Sequence, residues 1–137
     1  MANIIDELLG FDADKIEIPK KDFTIKLRKL GNKEFTFPLI AINAEKMGKI
    51  KEDSMDMSAK NKTLKLKAVL YESQVMTIIE GCPTVFRNDN IIKKFKVNTP
   101  KELVGKLFLS GEIDLIVDEI EKLSGFDSED SVEKVKN

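Results

Sequence analysis

Histidine and tryptophan are absent from this sequence, and cysteine occurs once, at Cys82. The absence of histidine removes the commonest general base, the usual proton shuttle and the commonest zinc ligand. One cysteine cannot form a disulfide within the chain, and a thiol without an imidazole lacks the partner that activates cysteine nucleophiles. A secreted disulfide scaffold and a papain-like cysteine protease are therefore both excluded.

A large net charge and a long hydrophobic run are missing as well. Lysine and arginine number 23 against 24 aspartates and glutamates, so the net charge is -1 and draws the chain to neither nucleic acid nor anionic lipid. No run of 18 apolar residues occurs, and the stretch from Met1 to Gly10 carries acidic residues instead of the basic start of a signal peptide. We expect a soluble protein that stays in the cytoplasm in which it is made.

What the sequence does contain predicts one folded domain over residues 1–126. A length of 137 residues with 42% hydrophobic residues suffices for an ordinary core without disulfides or metals. Residues 127–137 hold four acids and two lysines but only two valines, so they predict a flexible tail.

The N-terminal third predicts a short helix followed by a β-hairpin. Isoleucines and leucines at helical spacing stand between Asn3, a capping residue, and Gly10, a stop. Residues 22–40 contain two runs of alternating apolar and polar residues, separated by the turn pair Gly31-Asn32. Pro38 cannot donate to a β-ladder, which predicts that its strand has a neighbour on one side only.

The remainder of the chain predicts helices, so the fold class is α+β, with an N-terminal hairpin and a C-terminal helix pair. The expected helices lie at about 44–52, 63–80, 89–96, 100–109 and 111–124. Asn43 is a good cap for the first, and the stretch from Lys51 to Lys62 shows no clean period and predicts a loop. Residues 63–80 fit both a strand and a helix, and their length favours a helix.

Two further predictions concern the C-terminal helices. Thr99, Pro100 and Glu102 specify a helix start by a cap, a proline at the first helical position and a glutamate three residues after the cap. A helix-helix seam is expected from the apolar residues Leu107, Phe108, Ile113, Ile116 and Ile120. The alternative is that some of these side chains are exposed and bind a partner.

No residue pattern predicts catalysis, a metal site or a cofactor. Asp127 to Ser131 resembles a calcium loop, but Val132 stands where such a loop needs glycine. The close acids Asp12 with Asp14, and Asp53 with Asp56, are more typical of solvated loops, and the glycines form no phosphate cradle. The lysine-rich stretch 20–33 fits the exposed face of a sheet better than a phosphate-binding site. The residues therefore favour a binding or structural protein over an enzyme.

A family resemblance rests on four short segments. They are Glu80-Gly81-Cys82-Pro83, Thr99-Pro100-Lys101-Glu102-Leu103, Leu107 to Ile113, and Ile120 to Phe126. In these segments and in the order of its elements the chain resembles the XkdN-like tail assembly chaperones of contractile-tailed phages and related prophage-derived particles. The resemblance spans most of the chain and is most specific over 99–126. Ser110 stands where many relatives have proline, and a serine there can cap the second helix through its hydroxyl.

The resemblance implies a chaperone of the bacterial host cytoplasm that binds the tape measure protein before the tail tube polymerises around it. The tail tube protein would then displace the chaperone, which would be absent from the mature particle. Self-association and a longer form made by ribosomal frameshifting near the end of the gene remain open. Partner-binding or family-motif residues by this resemblance are Leu107, Phe108, Leu109, Ser110, Gly111, Glu112, Ile113, Ile116 and Ile120.

Two other function classes compete with this reading. One is a structural tail or baseplate adaptor that is retained in the particle. The other is a small nucleic-acid-binding regulator that uses the lysine-rich hairpin.

Overall fold

A computed structural model describes residues 3–60 and 66–126, and for 54–60 and 66–69 it describes the backbone alone. An antiparallel pair of strands, β1 (Lys20–Leu27) and β2 (Lys33–Ile40), confirms the predicted hairpin. The register pairs Lys20 with Ile40 and Leu27 with Lys33. Alternation buries one face of the pair, and the buried residues are Ile25, Leu27, Phe37 and Leu39.

The link between the strands is longer than a two-residue turn. One 3₁₀ turn, Arg28–Leu30, precedes Gly31 and Asn32, which both have positive φ, at 70° and 60°. Pro38 lies opposite Asp22, and among the described residues the sheet has only these two strands, as Pro38 predicts.

Helix α1 (Ile4–Leu9) lies before the hairpin, where the sequence predicts it. The Asn3 side chain accepts a hydrogen bond from the Ile5 N–H at 2.9 Å, and Gly10 ends the helix. None of its side chains is buried.

Helix α2 (Ala44–Lys60) corrects the sequence-based boundary. Asn43 caps it as predicted, since its Oδ1 accepts from the Lys46 N–H at 2.8 Å. The helix does not end near Glu52, however, and the predicted loop from Lys51 is helical as far as Lys60. Residues 51–60 lack both glycine and proline, so nothing in their backbone chemistry ends a helix although their apolar periodicity is poor.

Helix α3 (Leu66–Gly81) is the central element and packs against α2 and the C-terminal helices. The predicted helix over 63–80, a stretch whose pattern also fitted a strand, is confirmed for residues 66–80. Residues 63–65 lie outside the described residues. Neighbours on several sides bury consecutive residues of the helix, such as Thr77, Ile78 and Ile79, so burial is not confined to a single stripe.

Four helices follow: α4 (Pro83–Phe86), α5 (Asp89–Lys94), α6 (Pro100–Leu107) and α7 (Ser110–Glu121), with a π-helical turn at Lys122–Phe126. Helix α4 begins at Pro83, where the sequence predicts no helix. Helix α5 ends at Lys94, two residues before the predicted end at residue 96. Lys96 has a φ of 58°, which is incompatible with a continuing α-helix. Gly125, with a φ of 94°, closes the last turn.

The predicted start of α6 is confirmed in its details. Pro100 is the first helical residue, and the Thr99 hydroxyl accepts from the Glu102 N–H at 3.2 Å. The Glu102 carboxylate in turn accepts from the Asn98 N–H at 2.7 Å.

The break between the last two helices lies earlier than predicted, at Phe108-Leu109. Ser110 is already the first residue of α7, and no side-chain hydroxyl caps the helix. Helices α6 and α7 both pack on α3, so the predicted C-terminal pair forms a shared seam with the central helix. At Gly81 the seam is so close that an added Cβ would lie 2.6 Å from Ile120 Cδ1. Residues 127–137, the predicted flexible tail, lie outside the described residues.

Candidate partner-binding groove

The structure divides the family-motif residues into a buried and an exposed group. The buried side chains face the core, and they are Leu107, Phe108, Ile113, Ile116 and Ile120. Ser110 and Gly111 are exposed, and Leu109 is 39% exposed. The buried members hold the fold together, which leaves the segment around Leu109 as the part of the motif that a partner can reach.

An aromatic cluster fixes the buried side of this segment. The Phe108 ring centroid lies 5.5 Å from that of Phe37 on β2 and 5.7 Å from that of Phe86 on α4. Phe37 and Phe86 stack with centroids 6.2 Å apart. The cluster therefore anchors the α6–α7 joint to the hairpin.

Glu112 connects the same joint to the end of β1. Its side chain is buried, and one carboxylate oxygen accepts from the Leu109 N–H at 2.8 Å, which satisfies a free donor at the start of α7. The other oxygen accepts from the Arg28 N–H at 3.1 Å. Glu112 therefore does the capping that the sequence assigned to Ser110, and it also sets the spacing between α7 and the hairpin.

This spacing leaves an open groove of about 700 Å³ between the hairpin and α7. We call it the hairpin–α7 groove, and it is lined by Ile25, Lys26, Arg28, Asn32, Leu109, Gly111, Glu112 and Leu115. Leu109 and Leu115 give it an apolar side, and Leu115 is 55% exposed. Within the described part of the chain, Lys26 and Arg28 form no ion pair with an acidic side chain.

Sequence reasoning missed Leu115 and the hairpin side of the groove. A signal for Leu115 was present, because it lies off the inner stripe of α7, next to Asp114 and on the polar side of the helix. An exposed leucine in that position does not contribute to the core. The hairpin residues carry no such signal, because which strand end lies beside α7 is decided by tertiary packing.

A second exposed apolar surface is the N-terminal arm, residues 3–19, which contains α1. All of its residues are exposed. Its large hydrophobic side chains are Ile4, Ile5, Leu8, Leu9, Phe11, Ile16 and Ile18. A cluster of this size on a free surface is typical of an interaction site.

The cysteine and the loop acids that could carry chemistry have structural roles where the structure describes them. Burial raises the pKa of the Cys82 thiol to about 11, although a hydrogen bond with the Val85 backbone opposes the shift, so the nucleophilic thiolate is scarce at neutral pH. The Asp12 side chain caps the turn at Ala13–Lys15 by accepting from the Asp14 N–H at 3.0 Å. The side chain of Asp56 lies outside the described residues.

Several cations of the lysine-rich hairpin have partners within the protein. Lys21 pairs with Glu119 on α7 at 2.8 Å, and Lys29 donates to the Gly105 carbonyl oxygen at 2.9 Å. Lys33 lies over the Phe35 ring, 5.5 Å from its centroid. These contacts serve the fold and reduce the positive charge available to a ligand.

The arrangement of fold and motif agrees with a comparison against protein families. The profile of the phage XkdN-like tail assembly chaperone proteins matches residues 5–136, nearly the whole chain. The chain belongs to this family. It is thus a phage tail assembly chaperone, a class that suggests a non-enzymatic role. Neither the search of curated proteins nor that of solved structures found a match.

Two further observations concern this XkdN-like chaperone. Between residues 3 and 126, leaving out 61–65, no helix is long and apolar enough to cross a membrane. The family match includes both exposed surfaces except the first residues of the arm, so the hairpin–α7 groove and most of the N-terminal arm belong to the shared part of the chain.

Proposed function

We propose that this chaperone binds the tape measure protein of a contractile phage tail and covers its apolar surface until the tail tube assembles. The observation that supports this is the hairpin–α7 groove, in which Leu109 and Leu115 stand exposed beside Lys26 and Arg28, two cations that form no ion pair with the acidic side chains that the structure describes. The activity is binding without catalysis, in the cytoplasm of the bacterial host.

The groove suits the apolar helical surface that a tape measure protein presents. A tape measure protein is long and largely helical, and its exposed apolar stripes would associate with each other without cover. An amphipathic helix can lay its apolar stripe against Leu109 and Leu115 and place acidic side chains beside Lys26 and Arg28. Each such contact is small, so copies of the chaperone can be displaced one after another when tail tube protein arrives.

Co-expression with its tape measure protein tests this proposal. We expect the tape measure protein to be soluble with the chaperone and to aggregate without it, because its stripes are covered before they pair. The chaperone variant Leu115→Asp should fail to keep it soluble, since it removes one of the two exposed leucines of the groove and places a carboxylate beside Lys26 and Arg28, where the client's acidic side chains would lie. Leu70→Asp is the matched control, because Leu70 is 54% exposed on α3 and does not line the groove.

Two further measurements separate this function from its rivals. The complex should survive about 0.5 M salt, because its main contact is apolar. At this salt concentration the Debye length is roughly 4 Å, so only the contribution of exposed charges is screened. The chaperone should be absent from purified particles, whereas an adaptor would be present in fixed ratio to other tail proteins. A tape measure protein that is soluble alone, or a complex that dissociates in salt, contradicts the proposal.

A further inference from the structure

Helix α1 lacks the contacts that a helix of its length needs. Short isolated helices are marginal in water below about 12 to 15 residues. α1 has six residues, and no side chain in it is buried. The cap at Asn3 adds little to the stability of so short a helix. The helix therefore requires a surface that covers Ile4, Ile5, Leu8 and Leu9.

The same protein contains a surface of matching chemistry. The hairpin–α7 groove offers Leu109 and Leu115 beside the unpaired cations Lys26 and Arg28. α1 carries Asp6 and Glu7 with no basic residue in its last turn. An apolar helix with acidic residues and an apolar groove with basic residues are complementary in both respects.

We propose that α1 of one copy docks into the hairpin–α7 groove of a second copy. The arm that follows α1 permits this, since residues 10–19 are all exposed and could span up to about 33 Å when extended. The contact is heterologous, because it joins a helix on one copy to a groove on the other. It leaves one free α1 and one free groove at the ends, so larger oligomers form as the concentration rises.

Docked α1 also regulates the site of the proposed function. It covers the groove residues in the absence of a client, and a client helix must displace it. This regulatory step rests on the proposed function, but the self-docking itself does not, because helix and groove belong to the same chain.

A complementation experiment tests the arrangement. Leu8→Asp alters α1 and leaves the groove intact, while Leu115→Asp alters the groove and leaves α1 intact. Leu8 is 68% exposed and Leu115 is 55% exposed, so neither change affects the core. By analytical ultracentrifugation the unaltered protein should self-associate with rising concentration, and so should the control Leu70→Asp. Each groove or helix variant alone should be monomeric at the same concentrations, with affinity reduced about ten- to a hundredfold, because each loses a leucine from the apolar contact. An equimolar mixture of the two should form a one-to-one dimer.

Hydrogen exchange gives an independent readout on α1 itself. In Leu115→Asp alone, the α1 amides should exchange as in an unstructured peptide, because an undocked short helix gives little protection. Adding Leu8→Asp supplies an intact groove and should slow their exchange.

Three results would overturn the proposal. They are an unaltered protein that is monomeric at every concentration, a mixture that stays monomeric, and α1 protection that does not depend on the second variant. The last result would mean that α1 does not dock in the groove of either copy. Solubility of the tape measure protein is measured separately: the monomeric Leu8→Asp should still provide it, so the two proposals can fail independently.

Discussion

Replacing Gly81 by alanine should destabilise the fold, although alanine is normally the better helix residue. The new Cβ would lie 2.6, 2.7 and 2.8 Å from Cδ1, Cγ2 and Cγ1 of Ile120, distances that real Cβ atoms do not tolerate. Ile120 is fully buried and β-branched, so its χ1 is restricted and any shift of its side chain displaces core neighbours. Overpacking of this kind costs about 1 to 3 kcal/mol, which outweighs the gain of about 0.5 to 1 kcal/mol from helix propensity.

Urea denaturation of a double-mutant cycle measures the effect. Ile120→Ala alone should cost about 2 to 5 kcal/mol by leaving a cavity, but in the double variant the alanine at 81 partly fills that space. We expect the double variant to be more stable than the sum of the single losses by about 0.5 to 3 kcal/mol. The midpoint should move while the slope stays constant.

Gly48 provides the control for this cycle. A Cβ at Gly48, within α2, meets nothing within 4 Å, so Gly48→Ala should stabilise by up to about 1 kcal/mol. A Gly81→Ala protein as stable as the unaltered one, or strictly additive losses in the double variant, would refute the argument that close approach of α3 and α7 requires glycine.

Four other changes follow from named contacts. Thr99→Ala removes the α6 cap and should lower the free energy of unfolding by about 0.5 to 2 kcal/mol in urea, whereas no change would contradict the role of the hydroxyl. Glu112→Gln leaves one of two backbone N–H groups without an acceptor and should cost about 1 to 3 kcal/mol in the same assay, so an isostable variant would show that water replaces the bond. Ile116→Asp buries an unpaired carboxylate and should lower the melting temperature by the equivalent of several kcal/mol, and an unchanged value would refute its burial. The raised pKa of Cys82 means that the folded state disfavours the thiolate, so this thiol should make stability fall as pH rises from about 9 towards 11, and Cys82→Ala should make the measured fall shallower.

Local chemistry was sufficient to predict elements whose signals lie within a few residues. Thr99, Pro100 and Glu102 specify the start of α6 with hydrogen bonds that reach no further than four residues. The alternation in the hairpin similarly decides which side chains turn inward. The end of α2 could not be predicted in this way, because residues 51–60 combine good helix formers with no apolar stripe, and the periodic signal disappears before the helix does.

The family motif shows a different limit. From the sequence, Leu107 and Phe108 cannot be distinguished from Leu109, since all three are large and apolar. The structure buries the first two and exposes Leu109, because the α6–α7 break turns the chain at Phe108 and directs that ring towards Phe37 and Phe86. The sequence could thus locate the motif, whereas the division between its buried and its accessible residues needs the tertiary structure.

Glu112 links the buried and the exposed parts of this motif to the hairpin. Its two hydrogen bonds hold the start of α7 to the end of β1, so the two walls of the hairpin–α7 groove keep their spacing before any ligand arrives. A preformed groove costs little conformational entropy on binding, which allows a contact of few side chains to be specific. Loss of one of these two bonds in Glu112→Gln should therefore weaken self-association as well as stability. A variant that loses stability while its self-association is unchanged would mean that the groove does not depend on this connection.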